Sequence, residues 1–167
     1  MIPMWLIFLL TFPGVIMHEM SHKKFCDWLG VRVQKVVYFK FGNPAGFVLH
    51  EAPSTYRQIF WISIGPLILS SIFTVLVSFI AFHWFVPEWS QLVLLWIAFS
   101  IGFQSFPSNH DMRHISGASR SALGQGGSFL HYLAFPFVWL IKIANSTRFF
   151  WFNIFYAVLL VLLGSGL

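Results

Sequence analysis

The stretch Met17-His18-Glu19-Met20-Ser21-His22 closes an apolar run that begins at residue 1 and carries no charged side chain before Glu19. His18 and His22 are one helical turn apart and share a face, so two imidazoles can grip a single zinc ion there. Glu19, beside them, is placed to take a proton from zinc-bound water. A catalytic metal grip joined to a lipid-soluble segment points to a hydrolase working at or inside a membrane. The competing reading is a polar patch where a transmembrane helix meets water. The cost of ionisable side chains at membrane depth, which are usually functional, weighs against it.

Composition sets the class. The chain has 167 residues, 57% of them hydrophobic, 20% aromatic and only 9% charged, with a mean hydropathy of +0.76. A soluble domain of this length could not hide that much apolar surface. An all-α polytopic protein in a lipid bilayer is expected, as a single membrane-embedded domain over residues 1–167. The net charge of +5 is scattered and forms no basic stripe, so nucleic acid is not an expected partner. Cys26 is the single cysteine, which excludes an intrachain disulfide. Residues 1–17 lack a basic n-region, and cleavage nearby would destroy the histidine motif, so a retained helix is expected rather than a signal peptide.

About five transmembrane segments can be drawn. The first runs from Ile2 to Leu29 and contains Pro13-Gly14, where proline should kink the helix by freeing the Leu9 carbonyl. The second runs from Gln58 to Phe85 through Gly65-Pro66, and the third from Trp89 to Phe106. The fourth spans Phe129 to Ala144 and the fifth Phe149 to Leu163, the last two short enough to form a helical hairpin that does not fully cross. Between the first two helices, Val31 to Lys40 is rich in β-branched and aromatic residues, Gly42-Asn43-Pro44-Ala45-Gly46 turns the chain, and Phe47 to His50 resumes the strand pattern. This predicts a small β-hairpin at the membrane surface. Ser116 to Ser128, dominated by Gly, Ser and Ala, reads as a mobile loop.

The basic residues orient the chain. Lys23, Lys24, Arg32, Lys35, Lys40 and Arg57 accompany the first connection and Arg113 and Arg120 the third, against Lys142 and Arg148 at the fourth. The asymmetry puts the N-terminus outside and the first and third connections in the cytoplasm. A multi-pass protein of a prokaryotic plasma membrane is expected, with its active site toward the cytoplasmic side.

A catalytic zinc site normally takes three protein ligands plus water. Cys26 continues the histidine face, but about 12 Å of helix rise separates it from His18, so it reads as packing. The remaining candidates are His50, Glu51, His83, His110, Asp111, His114 and His131. His83 belongs near the opposite membrane face, and a lone His131 is more often a hydrogen-bonded helix residue. Phe106-Pro107-Ser108-Asn109-His110-Asp111 ends the third helix at the depth of His18 and His22. Helix capping by Ser, Asn and Asp is the alternative for that cluster. Beside the metal motif, a ligand role for the carboxylate is favoured, with Glu51 the other carboxylate on that side.

The His18-Glu19-Met20-Ser21-His22 motif, the hairpin ending Gly46-Phe47-Val48-Leu49-His50-Glu51, and Pro107-Ser108-Asn109-His110-Asp111 together resemble the site-2 protease family of intramembrane zinc metalloproteases, in a small and divergent form. The resemblance covers about residues 5–115, the helical pair over about 129–163 being additional, and it includes no PDZ-like domain. The usual Asn-Pro-Asp-Gly or Leu-Asp-Gly signature is missing. The resemblance implies a three-helix core in which His18, His22 and Asp111 hold one zinc ion per chain and Glu19 is the base. Asn109, His110 or His114 would support the oxyanion or the ligand shell. The hairpin residues Asn43, Pro44, Gly46, His50 and Glu51 would handle an extended, membrane-anchored polypeptide substrate. A non-proteolytic membrane scaffold or metal-binding protein is the runner-up reading, and a lipid hydrolase with the same site a weaker one. An intact Glu19 argues against an eroded enzyme, and the nearly unbroken apolarity of the second and fifth helices argues against a transporter.

Overall fold

The computed structural model describes residues 3–84, 87–124, 139 and 150–167. The described residues are mostly helical, with one two-stranded antiparallel sheet among them. Helices α1 (Met4–Leu10) and α2 (Phe12–Trp28) are followed by strands β1 (Val33–Val37) and β2 (Phe47–His50). Then come α3 (Tyr56–His83), α4 (Glu88–Phe103), α5 (Asn109–Gly124) and α6 (Phe150–Ser165). The expected fourth segment, Phe129 to Ala144, lies outside the described residues apart from position 139.

The first segment is broken rather than kinked. Pro13 cannot donate to Leu9, and it sits instead in the first turn of α2, where a missing N–H costs nothing. Thr11 fills the break, its hydroxyl donating to the Ile7 carbonyl at 2.8 Å.

Helix α3 organises the molecule. Thr55 and Gln58 form a capping box at its start, and the Gln58 amide donates to the Leu29 carbonyl at 3.1 Å, tying the end of α2 to α3. Its 28 residues span about 42 Å. Among the described residues it is the one helix both long and apolar enough to cross a membrane, while Glu88–Phe103 and Trp151–Ser165 are shorter apolar helices.

The small residues of α3 face inward and the large ones outward. Ser70, Thr74, Ser78 and Ala81 recur at helical spacing and are buried. Opposite them, a Cβ on Gly164 of α6 would lie 2.5 Å from that of Ser78, and one on Gly102 of α4 would lie 3.2 Å from the Thr74 methyl. Close backbone approach through small residues is how helices associate when apolar burial offers no drive. Ile72, Phe73, Leu76, Phe79 and Phe82 of α3 are exposed, as are Leu92 and Val93 of α4 and Phe155, Leu162 and Leu163 of α6.

The hairpin forms as expected, with Val37 opposite Phe47, Val36 opposite Val48, Lys35 opposite Leu49 and an irregularity before the Val33–His50 pair. It packs on α2. The expected loop from Ser116 to Ser128 is corrected. Residues through Gly124 belong to α5, and the remainder lie outside the described residues. Local composition misleads there because the helix is sustained by packing. Met112, Ile115 and Ser119, spaced three and four apart, are buried; Met112 and Ile115 join Ile64 of α3 in a core cluster, and Ser119 meets the Tyr56 hydroxyl at 3.0 Å.

Candidate metal centre

Helix α2 turns His18 and His22 toward α3 and the end of α4. Their Nε2 atoms are 3.2 Å apart. His18 Nδ1 donates to the Gln104 carbonyl at 2.8 Å, and His22 Nδ1 donates to the Ile62 carbonyl at 2.9 Å. A carbonyl can only accept, so each Nδ1 carries the proton and each Nε2 lone pair is left for a ligand.

The Ile62 carbonyl is free to do this for a reason written in the sequence. Its helical donor would be the N–H of residue 66, which is proline and has none. Pro66 therefore leaves one carbonyl unpaired within the buried face of α3, and His22 occupies it. A Cβ on the neighbouring Gly65 would collide with the Phe25 ring, so this turn of α3 also lets α2 approach closely. Gln104 has a second task, since its side-chain amide donates to the Thr11 hydroxyl at 2.7 Å and fastens the break between α1 and α2.

Asp111 completes the group. Its Oδ2 is 3.4 Å from His22 Nε2 and 3.8 Å from His18 Nε2, and the three ligand atoms lie within 4.8 Å of one another. Zinc bonds of about 2.0–2.1 Å at tetrahedral angles would separate neighbouring ligand atoms by roughly 3.4 Å. The donor set and its spacing fit a single metal ion. Both readings of the Asp111 cluster hold at once. Ser108 N and Oγ donate to Oδ2 at 2.8 and 2.6 Å, and the Asp111 amide reaches back to Ser108 Oγ at 3.3 Å, capping α5. Burial raises the Asp111 carboxyl, but in the metal-free group the protonated forms of His22 and His18 outweigh it and hold the carboxyl well below the ordinary carboxylate range. A metal ion would take the place of the Nε2 protons between these groups.

Glu19 is half-buried and within electrostatic reach of His18, His22 and Asp111. The hairpin turn presses on it. A Cβ on Gly46 would stand 2.7 Å from Glu19 Cγ and 2.9 Å from the Tyr38 carbonyl, so a side chain there would displace the carboxylate.

Other candidates are placed elsewhere. Glu51 is half-exposed and pairs with Arg32 at 3.8 Å, while His50 Nδ1 donates to the Glu51 carbonyl at 2.7 Å. Asn43 and Pro44 form the exposed tip of the turn, joined by a cis peptide bond. Cys26 is buried with Phe25, Val31 and Ile62, as packing. His83 stacks on Phe79 near the far end of α3, roughly 30 Å along the helix from Ile62. Asn109, His110 and His114 are exposed on the first turns of α5. His131 lies outside the described residues.

Sequence reasoning missed Ile62, Pro66 and Gln104. Pro66 carried a legible signal, because a proline inside an apolar helix frees the carbonyl four residues earlier. Gln104 carried none, since it contributes to His18 through its backbone. Replacing Pro66 with alanine gives the Ile62 carbonyl a helical donor that competes with His22. The affinity of the triad for a metal ion should then fall about ten- to hundredfold, as for other groups that orient a ligating histidine. Competition with a chromophoric chelator measures this, and unchanged affinity would mean that the His22 contact persists without the proline.

Comparison of the chain with protein-family models, with curated proteins and with solved structures yields no match, so the functional reading rests on the site itself.

Proposed function

We propose that this chain is a multi-pass membrane zinc metallopeptidase, a divergent relative of the site-2 proteases, that hydrolyses peptide bonds of membrane-anchored polypeptides. The observation that carries the reading is the convergence of His18, His22 and Asp111 on one point, with Glu19 beside them and a strand hairpin pressed against Glu19. A structural ion pair would need none of the last two features.

The membrane setting is supported by the length of α3 and by the outward apolar faces of α3, α4 and α6. Ile62 lies only about 9 Å along α3 from its start, so the site sits toward the end that carries the basic first connection. That end faces the cytoplasm, and the chain crosses five times. A reporter fused after Leu167 should therefore read out in the cytoplasm, and an external signal would remove one crossing.

When bound, zinc polarises the scissile carbonyl and acidifies a water. His18, His22 and Asp111 would hold it. Glu19 accepts the attacking water's proton and returns it to the departing amine. The Gln104 and Ile62 carbonyls keep both imidazoles aimed. A transmembrane helix hides its peptide bonds, so the substrate must unwind to be cut. Among the described residues the two-stranded hairpin has an unpaired edge, on which such a segment can lie extended. An apolar hollow of about 280 Å³, lined by Trp5, Phe8, Phe39 and Phe41 beside the turn, can receive flanking apolar side chains.

The test is cleavage of a membrane-tethered polypeptide by protein reconstituted in vesicles. Chelation should stop it and zinc should restore it. Cleavage that persists after complete metal removal overturns the proposal.

A further inference from the structure

Helix α5 carries a second histidine pair with no part in the centre described above. His110 and His114 are one turn apart, both exposed, with Nε2 atoms 3.4 Å apart and ring centroids 4.5 Å apart. The buried pair on α2 has the corresponding values 3.2 and 4.8 Å. At 3.4 Å the two nitrogens already stand at the separation of adjacent ligands on a tetrahedral zinc ion, roughly 3.4 Å. A hydrogen bond between two imidazole nitrogens at that length is weak, so little is lost when a cation replaces it.

We infer that His110 and His114 form a second, solvent-facing site for a borderline divalent cation of the zinc class, distinct from the buried centre. Imidazole is the donor such ions prefer, and two imidazoles on adjacent helical turns chelate without reorganising the backbone. Affinity should be lower than at the buried centre. Among the described residues neither Nδ1 is anchored by a backbone carbonyl, neither ring is buried, and no carboxylate joins the pair. Asp111 lies between the two histidines in sequence, so a cation bridging them also braces the turn that presents Asp111.

The site is independent of any peptidase activity and is tested by zinc binding alone. Full-length protein in detergent is dialysed against buffered free zinc over a graded range, and bound metal is counted. Wild type should take up two ions per chain in two separable steps. The double variant His110→Gln/His114→Gln should lose the weaker step and keep the tighter one. Asp111→Asn should do the reverse, losing the tight step and keeping the weak one. Circular dichroism checks that helix content is retained in both variants. A wild type that saturates at one ion which the double variant still binds, or a double variant that still binds two, overturns the second site. A weak step lost in the double variant without any tight step in wild type would uphold this site and sink the buried centre instead.

Discussion

Asp111→Asn should give a protein that folds, keeps α5 and holds almost no zinc. Asparagine preserves a side-chain oxygen for the Ser108 amide and hydroxyl but removes the anionic ligand facing His18 and His22. Losing one of three protein ligands should cost more than the roughly ten- to hundredfold typical of a supporting group. Ser108→Ala makes the complementary change. It removes both hydrogen bonds of the Ser108 hydroxyl, a cap whose loss costs on the order of 1 kcal/mol, and should leave zinc content intact. Glu51→Ala should also retain the ion, since its carboxylate faces Arg32. Metal analysis of the three purified variants decides the matter. If Ser108→Ala loses zinc and Asp111→Asn keeps it, Asp111 is a cap alone.

Glu19→Gln should have the second large effect, with the opposite signature. The amide is nearly isosteric, so it fits beneath Gly46 without disturbing the hairpin. Zinc content should match wild type, because Glu19 is not one of the three converging ligands. Cleavage should fall by about 10²–10⁴-fold, the range associated with a positioned general base, since glutamine cannot accept the water's proton. Full turnover in that variant would eliminate the proposed mechanism. Lost zinc would instead make Glu19 part of the ligand set.

Features generated by a few consecutive residues were legible in the chain. The i, i+4 relation of His18 and His22, the position of Glu19 beside them, the hairpin over Val33 to His50 and the apolar helices all follow from local periodicity. The errors arose where distant packing overrode local composition. Gly117 and its serine-rich surroundings look like loop, yet burial of Met112, Ile115 and Ser119 against α3 keeps them helical. Pro13 looks like a kink, yet the chain places it where a helix begins.

By itself, the sequence determined that two imidazoles and a carboxylate share one turn of an apolar helix, because helical geometry needs no partner. Only the tertiary structure decided that Asp111 rather than Glu51 meets them. Both carboxylates lie far along the chain from His22, and only the packing of α5 on α3 brings one of them within 3.4 Å of it. The same holds for the two carbonyls that aim the imidazoles. Every residue offers a carbonyl, and Ile62 and Gln104 were singled out by a missing proline N–H, a helix end and the crossing of three helices.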